Sequence, residues 1–357
     1  MHKDDQMTPK ERSTALKDGK AVDRMPIGMI YGVCAANLLG WSRRDGDSSA
    51  RQRADCVKKA YEVFGTDGIG TGYGLHGAAA AFGAKMSNSE YAAPHVLEHP
   101  VKNIDDIPSL DLSILSVEKD PWARMCMETV QILVDELGDE VDCGFCLPGA
   151  FTSLSSMVGT QDLLRALAHK PNAVHKAMEF VTDGLLQLAR EFLEIEVPIN
   201  IADPVASGSV ISKKQFDTFV APYAKRFANE CNAIRPFGVS CHICGNTTKI
   251  LENIAACGFC NVDIDNAVDL NEAKERIGET VHISGNVDPT GVLFLGTPAQ
   301  VKETVRARFR EAWDSPKGFT INTGCDSAWG TPIENSLAYM EASRKCAKYP
   351  LNPDNFI

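Results

Sequence analysis

From about residue 120 onward, short apolar runs alternate with longer stretches whose apolar positions recur every three or four residues. The runs at 141–147, 197–202, 237–242, 259–264, 281–284 and 318–322 have the length and bounding turns of buried strands. The stretches at 120–138, 160–169, 172–195, 213–234, 247–256, 270–277, 298–313 and 333–347 follow the helical period. Strands separated by helices of roughly 10–20 residues imply parallel βαβ units with right-handed crossovers. The earlier part is less regular. Thr8-Pro9 reads as an N-cap with Pro at N1, opening a helix that runs to Lys17 and ends at Gly19. Residues 26–30 are a short apolar run, a first strand, and 48–64 return to the helical period. Residues 66–84 are rich in Gly and Ala, which suggests close backbone approaches or a loop over a pocket. Residues 92–112, with Pro94, Pro100 and Pro108, read as an extended connection. At least seven strand–helix units without a GxGxxG turn predict an α/β fold. The form expected is a closed TIM-type (β/α)8 barrel with an N-terminal helical extension, not a doubly wound sheet. With no repeat, low-complexity tract or linker, residues 1–357 are expected to form a single domain.

Composition narrows the partners. The chain is 44% hydrophobic and carries a formal charge of −11. That argues against nucleic acid, whose binding rests on Lys and Arg neutralising phosphates, and against an anionic membrane surface. The charged first twenty residues lack the apolar stretch of a signal peptide. No window approaches the ~18 consecutive apolar residues of a membrane span. A cytoplasmic enzyme is expected. In a reducing compartment the twelve cysteines are buried fillers, metal ligands or reactive thiols instead of disulfides.

Spacing sorts the cysteines. Cys143-Gly-Phe-Cys146 and Cys257-Gly-Phe-Cys260 lie on or beside expected strands, where residues three apart point to opposite faces. They are therefore expected to be small buried hydrophobes. His242 and Cys244 are two apart and project the same way at a strand end, just before Gly245-Asn246. That is the C-terminal mouth, where barrels place their chemistry. Gly324-Cys325-Asp326, after the strand at 318–322, supplies a third ligand from the same mouth. One His and two Cys form an open zinc set with a fourth position for water or substrate. The bland alternative is a core histidine beside two unrelated thiols.

At these residues the chain resembles the uroporphyrinogen decarboxylase superfamily, and within it the zinc-dependent methylcobamide:coenzyme M methyltransferase branch. The resemblance runs through Val22-Asp23-Arg24-Met25-Pro26, Ala202-Asp203-Pro204 with the helix from Phe216 to Tyr223, and Gly285-Asn286-Val287-Asp288-Pro289 with Gly296-Thr297-Pro298. His242-x-Cys244 with Gly324-Cys325 is the part specific to the methyltransferase branch. The decarboxylase branch carries an arginine motif near the first strand that grips propionates. Here residues 30–37 hold no arginine, and Arg43 and Arg44 come later.

The resemblance implies a TIM-type barrel with Zn2+ on His242, Cys244 and Cys325. It also implies methyl transfer between a methylcobamide and a zinc-activated thiol such as coenzyme M. No Asp-x-His-x-x-Gly corrinoid-ligand motif is present, and His76 in Gly74-Leu75-His76-Gly77 does not fit one. The corrinoid is thus expected on a separate partner protein docking over the mouth. Asp203 and Asp265, at expected strand ends, are candidates for orienting a ligand, serving as an extra zinc ligand, binding substrate or capping a loop. Asp67 lies near where decarboxylases carry a substrate-facing acid, and His282, inside a strand, reads as structural. The rivals are a metal-free decarboxylase, a non-catalytic zinc-holding accessory, and the same zinc chemistry on another methyl acceptor.

Overall fold

The fold was analysed in a computed structural model that describes residues 2–32 and 34–357. Seven strands follow one another in chain order in one parallel sheet: β1 (Ile69–Gly72), β2 (Cys143–Pro148), β3 (Ile199–Ala202), β4 (Ser240–Ile243), β5 (Asn261–Ile264), β6 (His282–Val287) and β7 (Phe319–Thr323). Ile27 fills the gap between the two edges. It bridges Ile321 of β7 in parallel, with Gly28 N donating to the Ile321 carbonyl at 2.9 Å. On its other side, Asp67 N donates to the Ile27 carbonyl at 3.0 Å, just ahead of β1. The expected barrel is there, with Ile27 in the eighth place.

Two early elements differ from expectation. The run at 26–30 contributes one bridge in place of a strand, because Pro26 has no N–H to give a ladder. The Gly-rich stretch at 66–84, in turn, contains β1. A Cβ at Gly70 would stand 2.6 Å from the Gly144 carbonyl oxygen, and one at Gly72 would stand 2.9 Å from that of Cys146. Close approach of β2 therefore dictates glycine where strand propensity would call for a branched residue. Further on, the helix expected at 213–234 is two, Lys213–Phe219 and Ala221–Ile234, since Pro222 cannot continue the first. A short helix at Ala150–Val158, buried almost throughout, was not anticipated.

The two faces of the strands divide the chemistry. Ile199, Ile201, Cys241, Ile243, Val262, Ile283, Phe319 and Ile321 face the helical layer and are almost fully buried. Phe145 stacks on Phe192 of the long helix Pro171–Glu194, with ring centroids 3.7 Å apart. The alternate positions carry polar groups that bond one another inside the barrel. Asn261 Nδ2 donates to Ser284 Oγ (3.0 Å), and Ser284 Oγ donates to Asp263 Oδ1 (2.6 Å). None of the helices among the described residues is long and apolar enough to cross a membrane.

Candidate metal centre

Period-two alternation does the first part of the assembly. Ile243 turns outward into the core, so His242 and Cys244 share the inward face at the end of β4. Cys325 arrives from the loop after β7, and Gly324 permits it: a Cβ there would lie 2.6 Å from Asn266 N. Asp326 then accepts from Gly32 N at 2.9 Å, and Ser327 Oγ donates to the Ile30 carbonyl at 2.9 Å. The segment that fills the eighth barrel position thus also pins the Cys325 loop.

The three side chains meet. His242 Nε2 lies 3.1 Å from Cys244 Sγ, which lies 3.6 Å from Cys325 Sγ, and all three ligand atoms fall within 4.8 Å of one another. Tetrahedral coordination at about 2.3 Å to sulfur and about 2.0 Å to nitrogen separates neighbouring donors by about 3.5–3.8 Å. The spacing therefore fits one such ion. The donor set, borderline to soft, suits zinc and leaves a position open.

Behind the imidazole stands Asp263, a residue the sequence reading overlooked. Its Oδ2 lies 3.0 Å from His242 Nδ1. Its Oδ1 accepts from Ser284 Oγ at 2.6 Å and from Asn322 Nδ2 at 3.0 Å. With Nδ1 engaged, Nε2 is the nitrogen that faces the sulfurs. The signal was available: an acid inside the apolar strand Val262-Asp263-Ile264 demands a partner. Replacing Asp263 by Asn is expected to weaken zinc binding about 10–100-fold, measured by competition with a chromophoric chelator. An unchanged affinity would show that His242 needs no orienting carboxylate.

Electrostatics at the metal-free trio favour a charge pair. Burial pulls the His242 imidazole down, but the hydrogen bond with Asp263 and the contact with Cys325 outweigh it and raise it to about 10. The bond with Cys244 is the largest effect on Cys325. Burial opposes it, His242 reinforces it, and the thiol falls to about 5. Cys244 is pushed upward by that same bond and by burial. These directions make Cys325 the more acidic of the two thiols, and a cation bound by thiolates and a neutral imidazole displaces protons from the site.

A family model described as uroporphyrinogen decarboxylase (URO-D) matches residues 8–346. The chain belongs to that family. Among its members, the chain is similar to a methylcobamide:CoM methyltransferase of Methanosarcina acetivorans, 26% identical over 346 residues that cover 96% of this chain and 98% of that one. It is also similar to a uroporphyrinogen decarboxylase of Prochlorococcus marinus, 24% identical over 349 residues covering 92% and 95%. A solved methyltransferase from Methanosarcina mazei shares the fold at a TM-score of 0.79, with 24% identity over 95% of this chain and 98% of that one. Relatives named methylcobamide:CoM methyltransferase and relatives named uroporphyrinogen decarboxylase both align with the chain nearly end to end.

Within this family barrel the remaining candidates separate. Asp265 follows β5 at the mouth, beside the ligands but outside the set of three. Asp203 turns toward the helices: its Oδ1 accepts from Thr152 N (2.8 Å) and Oγ1 (2.6 Å), capping the helix Ala150–Val158. Burial pushes its carboxyl up to about 6 against those bonds. Asp67 precedes β1, at the end opposite the mouth. Both its oxygens are taken by Arg12, Arg24 and the Ile27 amide, so the substrate contact expected of it is not where the structure puts it. His282 Nδ1 meets the Lys317 carbonyl (3.1 Å) and Nε2 meets Thr320 Oγ1 (2.9 Å), a structural placement. His76 Nδ1 pairs with Ser156 Oγ at 2.7 Å. The paired CxxC cysteines join no metal cluster among the described residues, though Cys260 is exposed where a buried filler was expected.

Proposed function

We propose that this enzyme transfers a methyl group from a methylcobamide, carried by a separate corrinoid protein, to a small thiol activated by zinc on His242, Cys244 and Cys325. One observation carries the reading: two sulfurs and one nitrogen converge at the barrel mouth at coordination spacing, with a buried carboxylate behind the histidine. His242, Cys244 and Cys325 would hold zinc there, and its Lewis acidity would let a thiol in the open position lose its proton near neutral pH, where a free thiol (pKa about 8.5) keeps it. Cys244 and Cys325 contribute two negative charges that offset the dication and leave electron density on the incoming sulfur. Asp263 keeps His242 in the ligating tautomer and lets none of its ring freedom return. The mouth would place the sulfur against the methyl group. A sulfur–carbon bond would form as the cobalt–carbon bond breaks, with the electron pair left on cobalt and the thiol proton passed to water. The cofactor supplies the difficult bond while the protein supplies position and electrostatics.

The acidic chain and its twelve cysteines, none of them in a disulfide, support a cytoplasmic setting. The test is loss of the methylcobalamin spectrum with the zinc-loaded enzyme and a small thiol. Demethylation is expected only when both zinc and thiol are present. Zinc binding without turnover would leave an accessory role. Neither zinc nor turnover would return the chain to the metal-free decarboxylases of its family.

A further inference from the structure

The charges that the chain itself places around the three ligands bear on which thiol can enter. Asp265 shares the inward parity of Asn261 and Asp263 and is 8% exposed. Its position is fixed: Oδ1 accepts from Ala267 N at 2.7 Å, and Asn286 Nδ2 donates to its backbone carbonyl at 3.1 Å. The next residue, Asn266, is the one that abuts Gly324, so Asp265 lies between the loop of Cys244 and that of Cys325. Its charge, with that of Asp263, acts on the Cys244 sulfur. Among the described residues no lysine or arginine pairs with Asp265.

Several cations on elements near the strand ends are engaged elsewhere or face solvent. Arg43 is held by Asp47 and the Ser89 carbonyl, Arg44 by Glu90. Arg53 bonds Thr71 Oγ1 and the Gly72 carbonyl, Lys85 bonds Glu98, and Lys249 is exposed. A sulfonate tail, as in coenzyme M, would enter beside buried carboxylates where unlike charges attract and like charges repel far more strongly than in water. An ammonium tail would meet a buried carboxylate that has accepting capacity to spare.

We propose that Asp265 sets acceptor specificity by binding a cationic group on the thiol, so that the preferred substrate class is an aminothiol over an anionic thiol. This rests on the zinc–thiol reading above. Two readouts test it with cysteamine, 2-mercaptoethanol and 2-mercaptoethanesulfonate. One is the visible spectrum of the cobalt(II)-substituted protein, which reports thiol binding without any corrinoid. The other is demethylation of methylcobalamin by the zinc enzyme. Cysteamine is expected to bind and react about tenfold better than the sulfonate. Asp265→Asn is expected to bring that ratio close to one. If wild type uses the sulfonate as well or better, the proposal falls while the zinc–thiol reading stands. A preference that Asp265→Asn leaves intact removes Asp265 as its cause. Cobalt spectra that no thiol perturbs would overturn the zinc–thiol reading and this proposal together.

Discussion

Cys244→Ala and Cys325→Ala are each expected to lose their zinc during dialysis against a competing chelator, whereas the wild type is expected to retain about one ion per chain. Zinc sites built from four protein ligands bind with about 10–16 kcal/mol, so one ligand accounts for about 3 kcal/mol, more than a hundredfold in affinity. Three protein ligands are on hand among the described residues, and the loss of one leaves two. Removing a cysteine also removes half of the anionic charge that balances the ion. Thiol-dependent demethylation is expected to fall at least as far as metal occupancy does. Cys260→Ala serves as the control, because that thiol is exposed and outside the cluster. Elemental analysis of the three dialysed variants decides the matter: zinc held equally by all would place the metal elsewhere.

A second large effect lies at the other end of the barrel. Asp67→Asn is expected to cost about 3–5 kcal/mol of stability, because breaking a buried ion pair strands the partner charge. Arg12 is fully buried and Arg24 is 4% exposed, and each guanidinium bonds Asp67 and a second acid, with Asp5 also 3.8 Å from Arg12. Arg12 donates through Nε (2.7 Å) and Nη2 (2.8 Å) to Asp23, and Arg24 through Nε (2.8 Å) and Nη2 (2.7 Å) to Asp5. Asp67 hydrogen-bonds both arginines, and it also receives the Ile27 amide at 2.8 Å. An amide in its place keeps the shape and loses the charge, at the point where the N-terminal helix, the eighth barrel segment and β1 meet. By contrast, Arg44→Ala, which breaks an exposed pair with Glu90, is expected to cost less than about 1 kcal/mol. Urea denaturation of the two variants separates them, and a loss below about 1 kcal/mol for Asp67→Asn would mean that water reaches the cluster.

The cluster also has a defined pH response. Burial pushes the Asp23 carboxyl up, but its bonds to Arg12 and to the Gln6 and Met7 amides hold it far below the ordinary range. A folded value below the unfolded one means that the stabilisation is complete above the unfolded pKa, about 3.9. It disappears as pH falls through the folded value, in strong acid.

Much of this was written in local pattern. The alternation of apolar runs with helical stretches gave six of the seven strands close to their observed positions, because a parallel strand buried on its outer face must be apolar there whatever its neighbours are. The two-residue spacing of His242 and Cys244 likewise fixed their common face, since strand geometry has a period of two wherever the strand sits. The capping pair Thr8-Pro9 started its helix where expected, with Glu11 completing a capping box.

Other features had no local signature. β1 is glycine-rich because β2 passes within contact distance of it, a constraint that exists only once both strands are in place. Asp263 and Asp265 are both acids on β5 or just after it, and only the placement of β4 and β6 gives one a histidine and a serine and leaves the other facing the mouth. Asp67 looked like a substrate contact by its position in the chain. Folding instead brought two arginines from the first 24 residues onto it, at the end of the barrel opposite the metal centre. The sequence alone determined most of the elements and singled out the three side chains that could hold a metal, because periodicity and donor chemistry are local properties. The tertiary structure alone decided which carboxylate serves which cation, because a carboxylate takes its role from whatever the fold brings within hydrogen-bonding distance.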